Sequence, residues 1–139
     1  MTIRNLDATF SPRSVALIGA SARDGSVGQV VLNNVLDAGF EGAVYPVNPK
    51  YRELRGVRCY ANVGDLPTAP DLAVIMTPPD TVPQLIAELG KRGARAAVIL
   101  TAGIGTANGL KQKMLDAARP HLLRIVGPNT IGLLAPHAK

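Results

Sequence analysis

Ten residues, Gly19-Ala-Ser-Ala-Arg-Asp-Gly-Ser-Val-Gly28, have the make-up of an anion-binding turn. They follow the apolar run Val15-Ala16-Leu17-Ile18 and precede a stretch with Val27, Val31 and Val35 at four-residue steps. This reads as a strand, a glycine-rich turn and a helix start. The first amides of a helix have no acceptor within it, and its dipole adds partial positive charge there. Gly25 and Gly28 are expected to let a phosphate approach the backbone with no Cβ in the way. The plainer alternative is that these glycines only make a tight strand-to-helix connection. Gly19, Ser21, Asp24, Gly25, Ser26, Val27 and Gly28 are the candidate contacts here.

The spacing narrows the phosphate chemistry. A dinucleotide fingerprint reads G-x-G-x-x-G, whereas here five residues separate Gly19 from Gly25. A P-loop needs Gly-Lys-Ser/Thr, and Gly25 is followed by Ser26 with no lysine. The longer turn fits a wider cradle than that of NAD.

Five apolar runs, starting at Val15, Ala43, Leu72, Ala96 and Leu122, must position this turn. Their spacing is that of βαβ units, and their near-continuous apolar character is that of parallel strands covered on both faces. The first helix is expected to end at Asp37-Ala38-Gly39. The third crossover carries Val82, Leu85, Ile86 and Leu89 on one face, with Asp80 or Thr81 to cap it and Gly90 or Gly93 to end it. The next helix carries Leu110, Met114 and Ala118 and stops at Pro120. The second crossover, from Pro49 to Pro70, offers only a short turn near Val63-Gly64-Asp65-Leu66. Pro46 is awkward inside a strand and is expected near its end. Leu6 and Phe10 of the lead-in are expected to tuck against the sheet edge. The fold class is α/β, a Rossmann-like doubly wound parallel sheet of about five strands with flanking helices.

In such a sheet the ligand lies beyond the carboxyl ends of the strands. The second run ends in Asn48-Pro49-Lys50, the third in Thr77-Pro78-Pro79, the fourth in Leu100-Thr101-Ala102, and the fifth in a turn with Asn129. An NAD-binding domain places an acid after its second strand for the ribose hydroxyls. Here Lys50 stands instead, followed by Arg52, Arg55 and Arg58. A cation at that point suits a ribose bearing a phosphate, as in NADP or coenzyme A. The three arginines read equally well as a solvated loop. Thr77-Pro78-Pro79 reads as a helix lead-in or as a rigid apolar wall for a ligand. Asn129 reads as a turn residue or as an amide presented to a ligand carbonyl.

No catalytic constellation accompanies these positions. His121 and His137 lack metal-ligand spacing to Cys, Asp or Glu, and Cys59 has no histidine near it in sequence. A buried small hydrophobe is the expected role of Cys59. Fifteen basic against 10 acidic side chains give a net charge of +5, which favours anionic ligands. Aromatics are only 4% and no basic run exists, so nucleic acid is not expected. One cysteine, no signal core at the start and no run of membrane-spanning length point to a cytoplasmic protein with no membrane contact.

Taken together, Phe10 to Ser21, Gly25-Ser-Val-Gly28, Gly39-Phe-Glu-Gly42, Tyr45-Pro-Val-Asn-Pro-Lys50, Asp71-Leu-Ala-Val74, Thr101-Ala-Gly103 and Gly127-Pro-Asn129 resemble the N-terminal CoA-binding domain of NDP-forming acyl-CoA synthetases. The chain is more distantly similar to the succinyl-CoA synthetase α subunit. It looks closest to the ligase-like region of bacterial proteins fused to a GNAT acetyltransferase domain. The resemblance implies coenzyme A or an acyl-CoA as cofactor. It puts Asp24, Gly25, Ser26 and Val27 at the CoA phosphates, Lys50 at the nucleotide end, Leu100, Thr101 and Ala102 along CoA, and Asn129 near the thioester. Two departures weaken any acyl chemistry. No acid lies between Thr101 and Asn108, and Thr130 stands where the family commonly has cysteine or serine. Residues 1–139 are therefore expected to form one CoA-binding domain, excised from the N-terminus of a longer ligase or acetyltransferase and non-catalytic alone, with the downstream domains as partners. The alternative is an NAD(P)-binding domain of an oxidoreductase or redox sensor.

Overall fold

The computed structural model describes residues 3–132. Thr2 of the lead-in and His137 lie outside them. The five apolar runs become parallel strands β1 (Ser14–Ile18), β2 (Ala43–Val47), β5 (Leu72–Ile75), β6 (Ala96–Ile99) and β7 (Arg124–Val126). Their order in the sheet is β2-β1-β5-β6-β7. The chain moves from β1 to one side and then returns to build on the other, so the switch point lies between β1 and β5. Register places Leu17 of β1 between Pro46 of β2 and Val74 of β5.

Helix α1 (Leu6–Phe10) precedes β1, α2 (Val27–Asp37) joins β1 to β2, α3 (Val82–Arg92) follows β5, and α4 (Leu110–Ala118) follows β6. Two apolar layers result. Ile18, Ile75, Ile86, Leu89, Ile99 and Met114 fill one, beneath α3 and α4. Leu17, Leu32, Val98 and Ala8 belong to the other, with Val31 and Val35 of α2 against them. Alternate residues of each strand feed opposite layers, as a sheet covered on both faces requires.

The helix ends follow the expected signals in most cases. α2 stops at Ala38 with Gly39 at φ 74°, and α3 stops at Gly93 with φ 93°. The start of α3 differs from expectation. Neither Asp80 nor Thr81 caps it, because Pro79–Thr81 forms a 3-10 turn and the Thr81 hydroxyl donates to the Pro78 carbonyl at 2.6 Å. On α2 the buried stripe begins at Gly28 and not at Val27, whose side is 57% exposed. Phe10 is likewise exposed, and Ala8 and Thr9 make the buried face of α1. The last strand begins at Arg124, because Leu122 takes a left-handed conformation that ends the preceding turn.

Pro46 lies within β2 and is fully buried. Its carbonyl accepts from Tyr60 N–H at 2.9 Å, on the side away from β1, while the next carbonyl, Val47, accepts from Gly19 N–H at 2.9 Å on the β1 side. The N and O of one strand residue face the same way, so the missing N–H of Pro46 faces outward and costs the β1 ladder nothing. A short antiparallel hairpin, β3 (Glu53–Leu54) and β4 (Val57–Arg58), fills the crossover before the 3-10 turn at Val63–Asp65.

Candidate functional site

A cleft of about 630 Å³ opens at the switch point. Gly19, Asn48, Pro49, Lys50 and Thr77 all line it, so three strand ends meet there as the sequence reading expects. Ile18, Val47 and Leu85 give it an apolar floor. Charge is divided across its rim, with Lys50 on the β2 side and Asp80 and Glu88 on the α3 side.

Asn48 holds two parts of this site together. Its side-chain amide donates to the Ala20 carbonyl at 2.9 Å, and its side-chain oxygen accepts from the Lys50 amide at 2.9 Å. One carboxamide thus ties the glycine-rich turn to the residue that carries the cation. Beneath it the Cys59 thiol donates to the Asn48 carbonyl at 3.6 Å, and burial pushes that thiol above its ordinary pKa. A buried, protonated Cys59 agrees with its expected role as a small hydrophobe.

The turn from Gly19 to Gly28 reaches from the cleft to the start of α2. Gly19 has φ 97° and Gly25 has φ 71°, both left-handed. A Cβ on Gly25 would meet nothing within 4 Å, so the space beside its Cα is open. Gly28 works differently from expectation. A Cβ on it would lie 2.0 Å from the Gly19 carbonyl oxygen. Its missing side chain lets α2 pack against the end of β1.

Ser26 caps α2, accepting from Gln29 N–H at 3.2 Å and donating to the Arg23 carbonyl at 2.7 Å. Gln29 closes the turn further: its side-chain oxygen accepts from Gly25 N–H at 2.9 Å and its amide donates to Asp24 at 2.8 Å. Val27 and Gly28 supply the first helical amides, which have no intrahelical acceptor. Residues 24–28 do not line the switch-point cleft; they form its neighbour at the helix start.

Thr77, Thr101 and Asn129 form a row across the next strand ends. The Thr101 hydroxyl donates to the Thr77 carbonyl at 2.7 Å, and the Thr101 carbonyl accepts from Asn129 N–H at 3.1 Å. Asn129 is exposed at φ 54°, Ala102 is exposed, and Leu100 packs into the core. Pro78 leads into the 3-10 turn that begins at Pro79, and neither proline lines the cleft. Two of the three arginines after Lys50 are directed elsewhere. Arg55 pairs with Asp37 at 2.8 Å, and Arg58 stacks 5.1 Å over the Tyr60 ring. Sequence reasoning missed Tyr51, whose hydroxyl lies 3.3 Å from Ser21 Oγ. Its position directly after Lys50 was the available signal.

Among the described residues no group of His, Cys, Asp and Glu could hold a metal, and no helix is long and apolar enough to cross a membrane. The sheet order, the cleft and the open turn define a nucleotide-binding domain of the Rossmann-like class. Residues 13–136 match the family model of the CoA-binding domain. The chain is 43% identical over 128 residues to an ADP-forming acetate–CoA ligase of Methanocaldococcus jannaschii, covering 91% of this chain and 18% of that protein. It is 37% identical over 143 residues to the α subunit of ADP-forming acetate–CoA ligase I of Pyrococcus furiosus, covering 97% of this chain and 31% of the relative. An apo acetyl-coenzyme A synthetase of Ca. Korarchaeum cryptofilum superposes with a TM-score of 0.85 at 38% identity, over 91% of this chain and 28% of that one. The chain belongs to the CoA-binding domain family, and its ligand class is coenzyme A. It spans less than a third of the length of these relatives. Nothing in them favours the NAD(P) alternative.

Proposed function

We propose that coenzyme A lies with its nucleotide end at Lys50 and the switch-point cleft, its phosphates at the open turn around Gly25 and the start of α2, and its pantetheine arm along Thr77, Thr101 and Asn129. One observation carries this reading: a single carboxamide, that of Asn48, fixes both the turn and the Lys50 backbone. The residues present fit the group. The cleft is apolar in its floor for a base or an arm, the turn is open where a phosphate would approach, and the β2 end carries a cation in place of the acid that NAD requires. Gly19, Ser21, Asp24, Ser26, Val27, Gly28, Asn48, Pro49, Pro78, Pro79, Leu100 and Ala102 complete the proposed contacts and their immediate supports.

The chain is read as the CoA-binding unit of a longer ADP-forming acyl-CoA ligase, because the relatives carry this unit as a fraction of a longer chain. The domain alone binds, and later domains supply catalysis. An acetyltransferase parent is the second form of this proposal, distinguished by a GNAT domain after the unit. A cytoplasmic setting is supported by the one free thiol. Against a nucleic-acid surface, Arg55, Arg58 and Arg95 are directed to Asp37, to Tyr60, and to Asp7 and Asp71. Titration calorimetry with CoA, acetyl-CoA, NADH and NADPH tests the reading. CoA and acetyl-CoA are expected to bind, and binding of NADH without CoA would overturn it.

A further inference from the structure

Tyr51 follows Lys50 directly and has no part in the reading above. Its half-buried ring packs against the core layer beneath α2, and its hydroxyl lies 3.3 Å from Ser21 Oγ. Ser21 Oγ also accepts from Arg23 N–H at 3.0 Å. The two hydroxyls bring two protons, and the bond between them uses one. One O–H therefore remains, with no acceptor for it among the described residues. The phenol is the more acidic of the two groups and the better donor to an anion, so beside a bound anion Ser21 donates to Tyr51 and the phenolic proton goes to the ligand. The Ser21 hydrogen bond, then the backbone of Ala22, hold the phenol below its ordinary pKa against the effect of desolvation, and the charges of Lys50 and Arg23 act the same way. Two cations and one free O–H beside a turn with open space at Gly25 form the complement of an anion.

We propose that the Tyr51 hydroxyl is a ligand-binding group, held by Ser21 and donating its free proton to a phosphoryl oxygen of coenzyme A between Lys50 and Arg23. Ser21 is then a positioning residue that acts through Tyr51. The inference rests on the placement of the CoA phosphates at this turn.

The test uses the full chain. Tyr51→Phe keeps the ring and removes the proton, and it is expected to weaken CoA binding about tenfold by calorimetry. A purely structural tyrosine would leave a second readout unmoved. The chain has three tyrosines, Tyr45, Tyr51 and Tyr60, and no tryptophan, so phenolate absorbance near 295 nm follows them outside the adenine band. In the wild type Tyr51 should ionise below the ordinary tyrosine value, and CoA should raise that step, because the bound phosphate holds the proton. Tyr51→Phe should lose the step, and Ser21→Ala should return it toward the ordinary tyrosine value. Equal CoA affinity for a folded Tyr51→Phe, or a wild-type step that CoA leaves in place, overturns the inference. The wild-type titration needs no variant and decides the matter even if Tyr51→Phe fails to fold. Failure of the wild type to bind CoA removes the underlying reading instead. CoA binding that weakens in Lys50→Ala and not in Tyr51→Phe removes only the role of Tyr51.

Discussion

Gly28→Ala should destabilise the fold although alanine is the better helix former. The added Cβ would sit 2.0 Å from the Gly19 carbonyl oxygen and 3.2 Å from the Ala20 Cα. The oxygen is backbone and cannot rotate aside, because Gly19 N–H is bonded to the Val47 carbonyl at 2.9 Å and the residue closes the end of β1. Relief requires α2 to move away from β1 by about 1 Å, a shift of the size that overpacking imposes at a cost of about 3 kcal/mol, the upper end of its usual range. The gain in helix propensity from glycine to alanine returns about 1 kcal/mol. The net loss is about 2 kcal/mol, read in urea as a lower midpoint with unchanged slope. In a chain of this size the melting temperature should fall by about 7 °C. Gly25→Ala is the control. Its Cβ meets nothing within 4 Å, and its φ of 71° alone should cost about 1 kcal/mol. A Gly28→Ala variant as stable as the wild type, or less affected than Gly25→Ala, would refute the packing role assigned to Gly28.

Three further outcomes are expected. Lys50→Ala should lose a charge-assisted contact of about 1.5–3 kcal/mol, roughly 10- to 150-fold in CoA affinity, and calorimetry at two salt concentrations should show less salt dependence in the variant than in the wild type. Asn48→Ala should cost about 1–2 kcal/mol of stability in denaturant and weaken CoA binding as well, since its carboxamide joins Ala20 and Lys50. A variant with only one of these defects would separate the two roles. Burial pushes the Asp71 carboxyl up, but hydrogen bonds from the Arg95 side chain and the Arg13 amide, with the charges of both arginines, outweigh it and hold the pKa below the ordinary value. A depressed carboxyl adds stability above its unfolded pKa of about 3.9 and loses it as pH falls through the folded value. Asp71→Ala should therefore be less stable by about 1–2 kcal/mol at pH 7, discounted for the partial exposure of Arg95, and equal to the wild type in acid below both pKa values, as read by melting across pH.

The sequence by itself determined the architecture. Apolar runs at βαβ spacing, β-branched residues within them and glycines at the ends of α2 and α3 are local signals, and local propensity and periodicity act on a few residues at a time. The charge at the β2 end is equally local: Lys50 stands where an NAD-binding domain carries an acid, which favours a ribose bearing a phosphate. Tertiary structure decided how these pieces share work. Gly25 and Gly28 look alike in the sequence, and only the approach of α2 to the Gly19 carbonyl makes one a packing residue and leaves the other open. Pro46 looks like a fault until the outer position of β2 turns its missing donor away from β1. Arg55 and Arg58 look like companions of Lys50, yet the β3–β4 hairpin turns one to Asp37 and the other onto Tyr60. Ser21 and Tyr51 lie 30 residues apart and carry no common motif, and their hydroxyls meet because β1 and β2 are neighbours in parallel register. A side chain's partner depends on distances that chain folding sets between segments remote in sequence, and no periodicity within one segment encodes them.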